Sequence, residues 1–220
     1  MIKTVLFDLD GTLLNRDASV QQFIAAQYQR FNSALGHIPQ RNYVARWIEL
    51  DRRGHVWKDV VYQQLVLEFD ITKLSWQDLL HDYETQFIFH CVPFDGLKEM
   101  LFCLKQRGYW LGIITNGRGV FQSRAMDGLG ITSFFDTILI SEIEGIRKPQ
   151  SEIFHRALSR LNSVADETVF VGDDSEADVR GAKDAGLKAV WKRNPFHIEP
   201  READAVIDEL YELPNLLLHL

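Results

Sequence analysis

Two aspartates near the start of the chain stand two residues apart, directly after an apolar run. The stretch VLFDLDGTLL places Asp8 and Asp10 where a buried strand is expected to end. Because side chains alternate along a strand, both carboxylates should begin on the same side. Like charges held that close repel each other, so the pairing has an energetic cost. The rest of the sequence should show why the protein tolerates this repulsion.

Further polar residues follow other predicted strands or lie between them. They are Thr115, Asn116 and Gly117 after a second strand, Lys148 immediately before Pro149, and Asp173 and Asp174, with Asp178 one helical turn later, after a fourth strand. A hydroxyl and free backbone N–H groups at the start of a helix can bind an anion. We expect Pro149 to open the next helix and fix the direction of the lysine. Each piece alone also fits a turn, a helix cap or a solvated lysine.

The positions of these residues favour one common site. In open parallel sheets, ligands bind at the carboxyl ends of the strands. The four stretches would bring hard oxygen ligands, an anion cradle and a single cation to the same edge of a sheet. Together they predict a functional site more strongly than any one of them does.

The spacing of apolar residues divides the chain into two parts. Residues 15–91 show helical spacing throughout. From residue 92 onward strands and helices alternate, which predicts a parallel sheet covered on both faces. The first strand belongs with that later half, so the helical stretch is an insertion. We therefore predict an α/β core domain of residues 1–14 and 92–220 and a helical domain of residues 15–91.

Short apolar runs mark the predicted strands of the core domain. They are KTVLF, YWLGIIT, TILI, TVFVG, KAVW and, more weakly, DAVI. Helical spacing between them predicts helices over 97–106, after Gly117, over 151–161 and over 176–185.

Composition limits the class of partner. The 220 residues are 46% hydrophobic and 25% charged, with a formal net charge of −7, which is typical of a packed globular protein. That charge argues against a nucleic acid or an anionic membrane as the main partner. A small anionic metabolite stays compatible, because a bound cation can reverse the local field. The oligomeric state is left open.

Several features favour a cytoplasmic protein. The first residues do not resemble a signal peptide, and no apolar run approaches the roughly 20 residues of a membrane span. Cys91 and Cys103 lie outside any metal-binding or redox motif and are interpreted as reduced thiols.

The set of motifs resembles the haloacid dehalogenase superfamily of hydrolases over nearly the whole chain. The resemblance rests on Asp8-Leu9-Asp10-Gly11-Thr12, on Thr115, on Lys148, and on Gly172-Asp173 with Asp178. It implies an α/β fold with a doubly wound, Rossmann-like parallel sheet of strand order 5-4-1-2-3. It also identifies the insertion after the first motif with the family's all-helical cap.

The resemblance implies a role for each aspartate. Asp8 would be the nucleophile that forms an aspartyl-phosphate, and Asp10 would be the general acid and then the base that activates water. Mg²⁺ would be held by the carboxylates of Asp8 and Asp173 and by the backbone carbonyl of Asp10. Asp178 would contact the ligands of the metal rather than the metal itself, or would reach the metal through a water molecule. Asp174 stands where many relatives have serine, and its role is open.

The resemblance also implies how a phosphate group would be held. Thr115 and the amides of Asn116 and Gly117 would bind the phosphate oxygens, and Lys148 would balance the charge on Asp8 and phosphate.

The aspartate at position 10 discriminates between activities in this superfamily. Dehalogenases lack an acid there because halide leaves without a proton, whereas a phosphatase needs an acid for an alkoxide leaving group. We therefore predict a Mg²⁺-dependent phosphatase acting on small phosphomonoesters of the nucleotide or sugar-phosphate type. A phosphomutase of the same fold and a non-catalytic binding or regulatory protein are the alternatives, and the intact carboxylate set argues against the second.

One turn of the helical domain is rich in cations. The stretch ELDRRGHVWKD carries Arg52, Arg53, His55 and Lys58 around Gly54. We predict that this turn contacts the substrate, since loops often carry binding groups; a solvated turn is the alternative. Aromatic residues at helical spacing are predicted to form the core of the helical domain: Trp47, Trp57, Trp76 and Tyr83.

Overall fold

The computed structural model describes residues 1–220 and divides them into two units. The first, here called the core unit, comprises Met1–Asn15 and Pro93–Leu220. The second, here called the helical unit, comprises Arg16–Val92. All strands belong to the core unit, and the helical unit contains only helices and their connections. Both boundaries between the units fall one residue after the positions expected from the sequence.

The sheet of the core unit is six-stranded and entirely parallel. Its strands are β1 (Thr4–Phe7), β2 (Trp110–Thr115), β3 (Thr137–Ile140), β4 (Thr168–Gly172), β5 (Lys188–Lys192) and β6 (Ala205–Ile207). They lie in the order β3-β2-β1-β4-β5-β6. The predicted α/β fold with a parallel sheet is confirmed. The predicted strand order was incomplete, because β6 extends the sheet beyond β5 and its three residues give only a weak sequence signal.

The first strand lies in the middle of this sheet. Val5 stands opposite Leu111 of β2 on one side and Val169 of β4 on the other. All four residues of β1 are buried, as expected for a parallel strand covered on both faces. The carboxyl ends of β1, β2 and β4 therefore lie side by side.

Helices account for most of the remaining chain. In the helical unit they are α1 (Arg16–Arg30), α2 (Asn32–Leu35), α3 (Gln40–Asp51), α4 (Lys58–Glu68) and α5 (Trp76–Gln86). In the core unit they are α6 (Leu97–Gln106), α7 (Gly119–Leu129), α8 (Ser141–Glu144), α9 (Ser151–Leu161), α10 (Gly181–Asp184) and α11 (Leu213–Leu216). A π-helical segment, Ser175–Arg180, leads into α10. Short 3₁₀ turns lie at Arg52–Gly54, Phe87–His90, Thr132–Phe134, Ala165–Glu167 and Leu210–Glu212.

Helix α9 packs against the sheet and buries part of the hydrophobic core. Its apolar residues recur at helical spacing, and Phe154 packs edge-on against Phe170 of β4, with ring centroids 5.1 Å apart. Both rings belong to a buried cluster that also contains Leu6 and Ile114 of the sheet. The helix begins two residues after Pro149, so the prediction that this proline opens the helix was wrong.

The helical unit has an aromatic core of its own. Trp47 is fully buried, and its ring stacks on that of Tyr83 with centroids 5.9 Å apart. The prediction that Trp57 belongs to this core was wrong: it stands at the N-cap position of α4 and is 59% exposed. Trp76, the first residue of α5, is half-buried. None of the helices in the chain has the length and apolar character needed to cross a membrane.

Candidate active site

A buried ion-pair network lies at the carboxyl edge of the sheet. The Nζ atom of Lys148 donates to Asp8 Oδ1 and to Asp178 Oδ1, both at 2.6 Å. Burial disfavours the charge on Lys148, but the carboxylates of Asp178 and Asp8 outweigh this effect and raise its pKa above the ordinary value. The lysine is therefore a fixed cation between two aspartates.

The backbone of Lys148 is held by a residue from a neighbouring strand end. The Asn116 side chain accepts from the Lys148 backbone N–H at 3.0 Å and donates to the Lys148 carbonyl at 3.0 Å. The sequence predicted a role only for the backbone amide of Asn116. Its side-chain role depends on a contact across 32 positions, which no local pattern reveals.

Three buried carboxylates form a group that could hold a metal ion. Oxygens of Asp8, Asp173 and Asp178 lie within 4.8 Å of one another. Burial, aided by the Asp178 charge, raises the pKa of Asp173 to about 7. Burial also raises the pKa of Asp8 well above its ordinary value, although the Lys148 ammonium opposes this. The Lys148 ammonium bonds to only two of these three carboxylates, so this set of hard oxygen donors fits a divalent cation.

The composition of this group differs in part from the sequence prediction. Asp178 was predicted to contact the metal only indirectly, but it is one of the three carboxylates of this group. The carboxylate of Asp10 lies outside it, which is compatible with the expectation that only its backbone carbonyl reaches a metal.

The turn after β1 is shaped to admit Asp173. Gly11 has a φ of +87°, and a Cβ added there would lie 2.2 Å from Asp173 Oδ2. Glycine is thus required both by the backbone conformation and by the close approach of the carboxylate. Thr12 follows, and its hydroxyl lies 3.4 Å from Asp8 Oδ2 and 3.5 Å from Asp173 Oδ1. These residues explain the glycine and threonine of the motif DLDGT.

Two residues near the end of β5 support Asp173. The Asn194 side chain donates to Asp173 Oδ2 at 2.6 Å. The indole N–H of Trp191 donates to the Asp173 carbonyl at 2.8 Å. The sequence predicted neither contact, since nothing around Trp191 or Asn194 resembles a motif.

Asp10 faces different partners from Asp8. Gln122 in the first turn of α7 donates through Nε2 to Asp10 Oδ2 at 2.8 Å and to Thr115 Oγ1 at 2.6 Å. Strand β1 ends at Phe7, so the alternation that predicted a shared direction for the two aspartates does not extend to them. Gln122 was not predicted from the sequence.

The predicted anion cradle at Gly117 has a partner within the protein. The Gly117 N–H donates to Ser141 Oγ at 3.1 Å, and the Gly119 N–H donates to Glu142 Oε2 at 2.7 Å. A phosphate oxygen at this helix start must therefore compete with the Ser141 hydroxyl for the Gly117 amide.

Asp174 serves as a helix cap. Its Oδ1 accepts from the backbone N–H groups of Glu176 at 2.9 Å and Ala177 at 2.7 Å. Its own backbone N–H donates to Asp178 Oδ2 at 3.0 Å. These contacts give a structural role to a residue whose role the sequence left open.

The basic turn of the helical unit is built around buried Asp51. Arg16 donates to Asp51 Oδ2 at 2.7 Å, and Lys58 forms an ion pair with the same carboxylate. Arg53 pairs with Asp17 at 2.7 Å. The side chains of Arg52 and His55 are exposed. Two of the four predicted substrate-contacting residues, Arg53 and Lys58, thus help to hold the turn itself.

Comparison with known proteins identifies the family of the chain. The sequence model of the haloacid dehalogenase-like hydrolases matches residues 5–192. The glyceraldehyde 3-phosphate phosphatase of Pyrococcus furiosus is 31% identical over 229 aligned positions, covering 98% of this chain and 93% of the relative. The ribulose-1,5-bisphosphate 5-phosphatase of Halopiger xanaduensis is 31% identical over 240 aligned positions, covering 99% of this chain and 100% of the relative.

A solved structure extends the comparison to three dimensions. The HAD-hydrolase YfnB of Bacillus subtilis, solved bound to magnesium, has a TM-score of 0.75 and 26% identity, and 99% of each chain is covered. The resemblance predicted from the motifs is confirmed. The chain therefore belongs to the haloacid dehalogenase-like hydrolase family, in its phosphatase branch.

Proposed function

We propose that the protein is a Mg²⁺-dependent phosphatase that hydrolyses small phosphomonoesters, with phosphorylated sugars as its substrate class. The observation that carries this proposal is that the side chains of the two opening aspartates have different surroundings. Asp8 lies in the buried network with Lys148, whereas Asp10 is held by the neutral amide of Gln122. A nucleophilic carboxylate must be ionised, whereas the acid beside it must be able to carry a proton.

The first step transfers the phosphoryl group to the protein. An oxygen of Asp8 attacks phosphorus, the bond between phosphorus and the ester oxygen breaks, and Asp10 gives its proton to the leaving oxygen. The Thr115 hydroxyl and the Gly117 amide hold phosphate oxygens during this step. Lys148 stays charged beside Asp8 and stabilises the negative charge of the transferring group.

The second step releases phosphate. Asp10, now ionised, takes a proton from a water molecule that attacks the phosphorus of the aspartyl-phosphate. The bond from phosphorus to the Asp8 oxygen breaks, which restores the Asp8 carboxylate and the protonated Asp10. One residue therefore serves as acid and then as base.

The carboxylate group favours a magnesium site in this proposal. Asp8, Asp173 and Asp178, with the backbone carbonyl of Asp10, are the oxygens that would hold Mg²⁺. A bound Mg²⁺ supplies positive charge that stabilises the phosphate oxygens. The description of YfnB as bound to magnesium supports this choice of metal.

The names of the relatives support the substrate class. Glyceraldehyde 3-phosphate and ribulose 1,5-bisphosphate are both phosphorylated sugars, so we favour sugar phosphates over nucleotides. We also propose that the helical unit, Arg16–Val92, is the family's cap domain. The structure of YfnB is described as revealing interdomain movement. The cytoplasmic location stays a prediction.

The test is phosphate release by the purified protein. Glyceraldehyde 3-phosphate, ribulose 1,5-bisphosphate, a nucleoside monophosphate and p-nitrophenyl phosphate are each supplied with Mg²⁺, then with a chelator, then with Mg²⁺ restored. We expect turnover of the sugar phosphates that the chelator abolishes and Mg²⁺ restores. Full turnover in the chelator would contradict the metal requirement. Movement of the phosphoryl group to another hydroxyl of the sugar, without release of free phosphate, would indicate a mutase. No reaction with any ester would contradict the proposal.

A further inference from the structure

We infer that Gln122 is a positioning residue that couples the proton donor Asp10 to the phosphate-binding hydroxyl of Thr115. This inference rests on the proposed function, because it assigns Gln122 a part in the same reaction. One side-chain nitrogen of Gln122 bonds to both residues, at 2.8 Å from Asp10 Oδ2 and 2.6 Å from Thr115 Oγ1.

Packing fixes Gln122 in addition to its hydrogen bonds. The residue is 2% exposed in the first turn of α7. A Cβ added to Gly117 would lie 2.8 Å from both Cγ and Cδ of Gln122, so the glycine leaves the space that the glutamine side chain fills. A side chain held by packing along its stem and by two bonds at its end has little freedom to rotate. It therefore keeps Asp10 and Thr115 at a fixed separation.

The direction of these bonds has a chemical consequence. The carboxamide NH₂ group has two N–H donors and uses one for each partner. Because Thr115 Oγ1 accepts from Gln122, the hydroxyl hydrogen of Thr115 is available to donate to a phosphate oxygen. Because Asp10 Oδ2 also accepts from Gln122, the proton that Asp10 transfers is directed to its other oxygen, Oδ1.

This coupling matters because of where the proton must go. The leaving oxygen is bonded to the phosphorus that Thr115 helps to hold. A single rigid amide between the donor and the phosphate anchor sets the distance that the proton travels. Misplacement of a reacting group by about 1 Å can cost about 10²-fold in rate. Gln122 is neutral, so it provides this geometry without adding a charge beside Asp10.

The test compares Gln122→Met with wild type on two leaving groups. Methionine has a similar volume and no amide, so both hydrogen bonds are lost while the space stays filled. We expect kcat on an alkyl or sugar phosphate to fall by about 10- to 100-fold. Transfer from p-nitrophenyl phosphate, whose leaving group needs little protonation, should fall less than about fivefold in a rapid-quench measurement of phosphoenzyme formation. Gln122→Glu keeps the shape but faces Asp10 with an acceptor, and it should show the same dependence on the leaving group.

Two comparisons separate positioning from a general loss of structure. Gln27, a buried glutamine of the helical unit, donates to the Leu79 carbonyl at 2.9 Å and to Asp82 at 3.0 Å. Gln27→Met should lower the melting temperature without any dependence of rate on the leaving group. In a double-mutant cycle, Gln122→Met should add no further leaving-group-dependent loss in the background of Asp10→Asn, because its effect passes through Asp10.

Each outcome decides the inference. Equal losses on both leaving groups, or additive losses in the cycle, would overturn the coupling to Asp10. Wild-type kinetics in Gln122→Met or Gln122→Glu would overturn any role in positioning. In either case an active wild-type protein leaves the proposed function intact. A wild-type protein inert toward every phosphomonoester would overturn the proposed function and this inference with it.

Discussion

The two carboxylates of the opening motif differ in what surrounds them, although only one residue separates them in the sequence. The carboxylate of Asp8 is bound to a buried ammonium, and that of Asp10 is bound to a neutral amide. The ammonium favours the ionised form that a nucleophile needs, against the effect of burial, and the neutral amide adds no charge beside the acid. The roles of the two aspartates can therefore be separated by substitution.

Asparagine at either position should block different steps. Asp8→Asn should abolish formation of the phosphoenzyme, because an amide oxygen is a poor nucleophile. Asp10→Asn keeps its backbone carbonyl, so metal binding should survive, but general acid catalysis worth about 10² to 10⁴ in rate is lost. Rapid-quench measurements with labelled substrates should show a large defect on an alkyl phosphate and a smaller one in phosphoenzyme formation from p-nitrophenyl phosphate. Trapped phosphoenzyme is expected in Asp10→Asn, since Asp10 also activates water.

The opposite pattern would contradict these assignments. Equal defects on both leaving groups with no trapped intermediate would mean that Asp10 is not the acid. Phosphoenzyme formed by Asp8→Asn would mean that another residue is the nucleophile.

Sequence reasoning identified the residues at strand ends but not those that hold them. Asp8 and Asp173 stand out because charged residues directly after buried strands are unusual, and Lys148 stands out because it precedes Pro149 between two strands. The fold brings the three residues together. Gln122 and Asn194 do not stand out, because their significance depends on which carboxylate each side chain reaches. Those contacts span 112 and 21 positions along the chain, respectively. Only the folded structure reveals them.

At the level of elements, the turn after β1 couples backbone conformation to the carboxylate group. Gly11→Ala should impose strain at a positive φ and also push against Asp173 Oδ2, which lies 2.2 Å from the added Cβ position. We expect the variant to lose both stability and Mg²⁺ affinity, measured by thermal unfolding and by metal titration. The backbone strain alone should cost about 1 to 2 kcal/mol.

A second glycine provides the matched control for this turn. Gly108 has a φ of +81°, and nothing lies within 4 Å of its Cβ position. Gly108→Ala should therefore carry the backbone cost without any change in Mg²⁺ affinity. If the two variants titrate alike with Mg²⁺, the close approach of Gly11 to Asp173 has no part in metal binding.

The basic turn of the helical unit allows a similar comparison. The sequence predicts that it takes part in substrate binding, and its guanidinium groups differ in their surroundings. Arg52 is exposed, whereas Arg53 is paired with Asp17 at 2.7 Å. If the prediction holds, Arg52→Ala should raise KM for a sugar phosphate by several-fold with kcat unchanged. Arg53→Ala, which removes an exposed ion pair worth less than about 1 kcal/mol, should change KM less. Unchanged KM in both variants would identify a solvated turn.

Elements with strong periodicity were predicted well, and the exceptions have physical causes. Helix α9 has the predicted bounds because its apolar stripe is complete. Helix α5 begins with a capping box, in which Ser75 and Asp78 each bond to the backbone N–H of the other. Pro149 failed as a helix-opening signal because the chain runs on to Ser151 before turning into α9. Strand β6 gave a weak signal because only three residues pair with β5.

At the scale of the whole molecule, the repulsion and burial of the site carboxylates lower the stability of the folded protein. The central strand carries its aspartate into the buried end of the sheet, where burial raises the pKa of Asp8 and of Asp173. Functional groups held in this way destabilise the protein that positions them. The metal-free protein should therefore show this cost in its pH dependence, and the metal should relieve it.

Thermal unfolding with and without Mg²⁺ measures that cost. An unfolded aspartate titrates near pH 4 (about 3.9), whereas Asp173 in the folded, metal-free protein has a pKa of about 7. Because the folded protein binds this proton more tightly, the free energy of unfolding should fall as pH rises from about 4 to about 7. Mg²⁺ binds the ionised carboxylate, so its affinity should weaken about tenfold for each pH unit below 7. The increase in Tm caused by Mg²⁺ should thus be larger at about pH 8 than at about pH 5.5.

A pair of variants tests whether Asp173 is the source of this cost. In a chelator at the higher pH, Asp173→Asn should melt above wild type, and added Mg²⁺ should not change its Tm. The control Asp166→Asn, at an exposed position, should behave as wild type. An equal Tm increase at both pH values, or an Asp173→Asn variant less stable than wild type in the chelator, would mean that the buried carboxylate does not carry this cost.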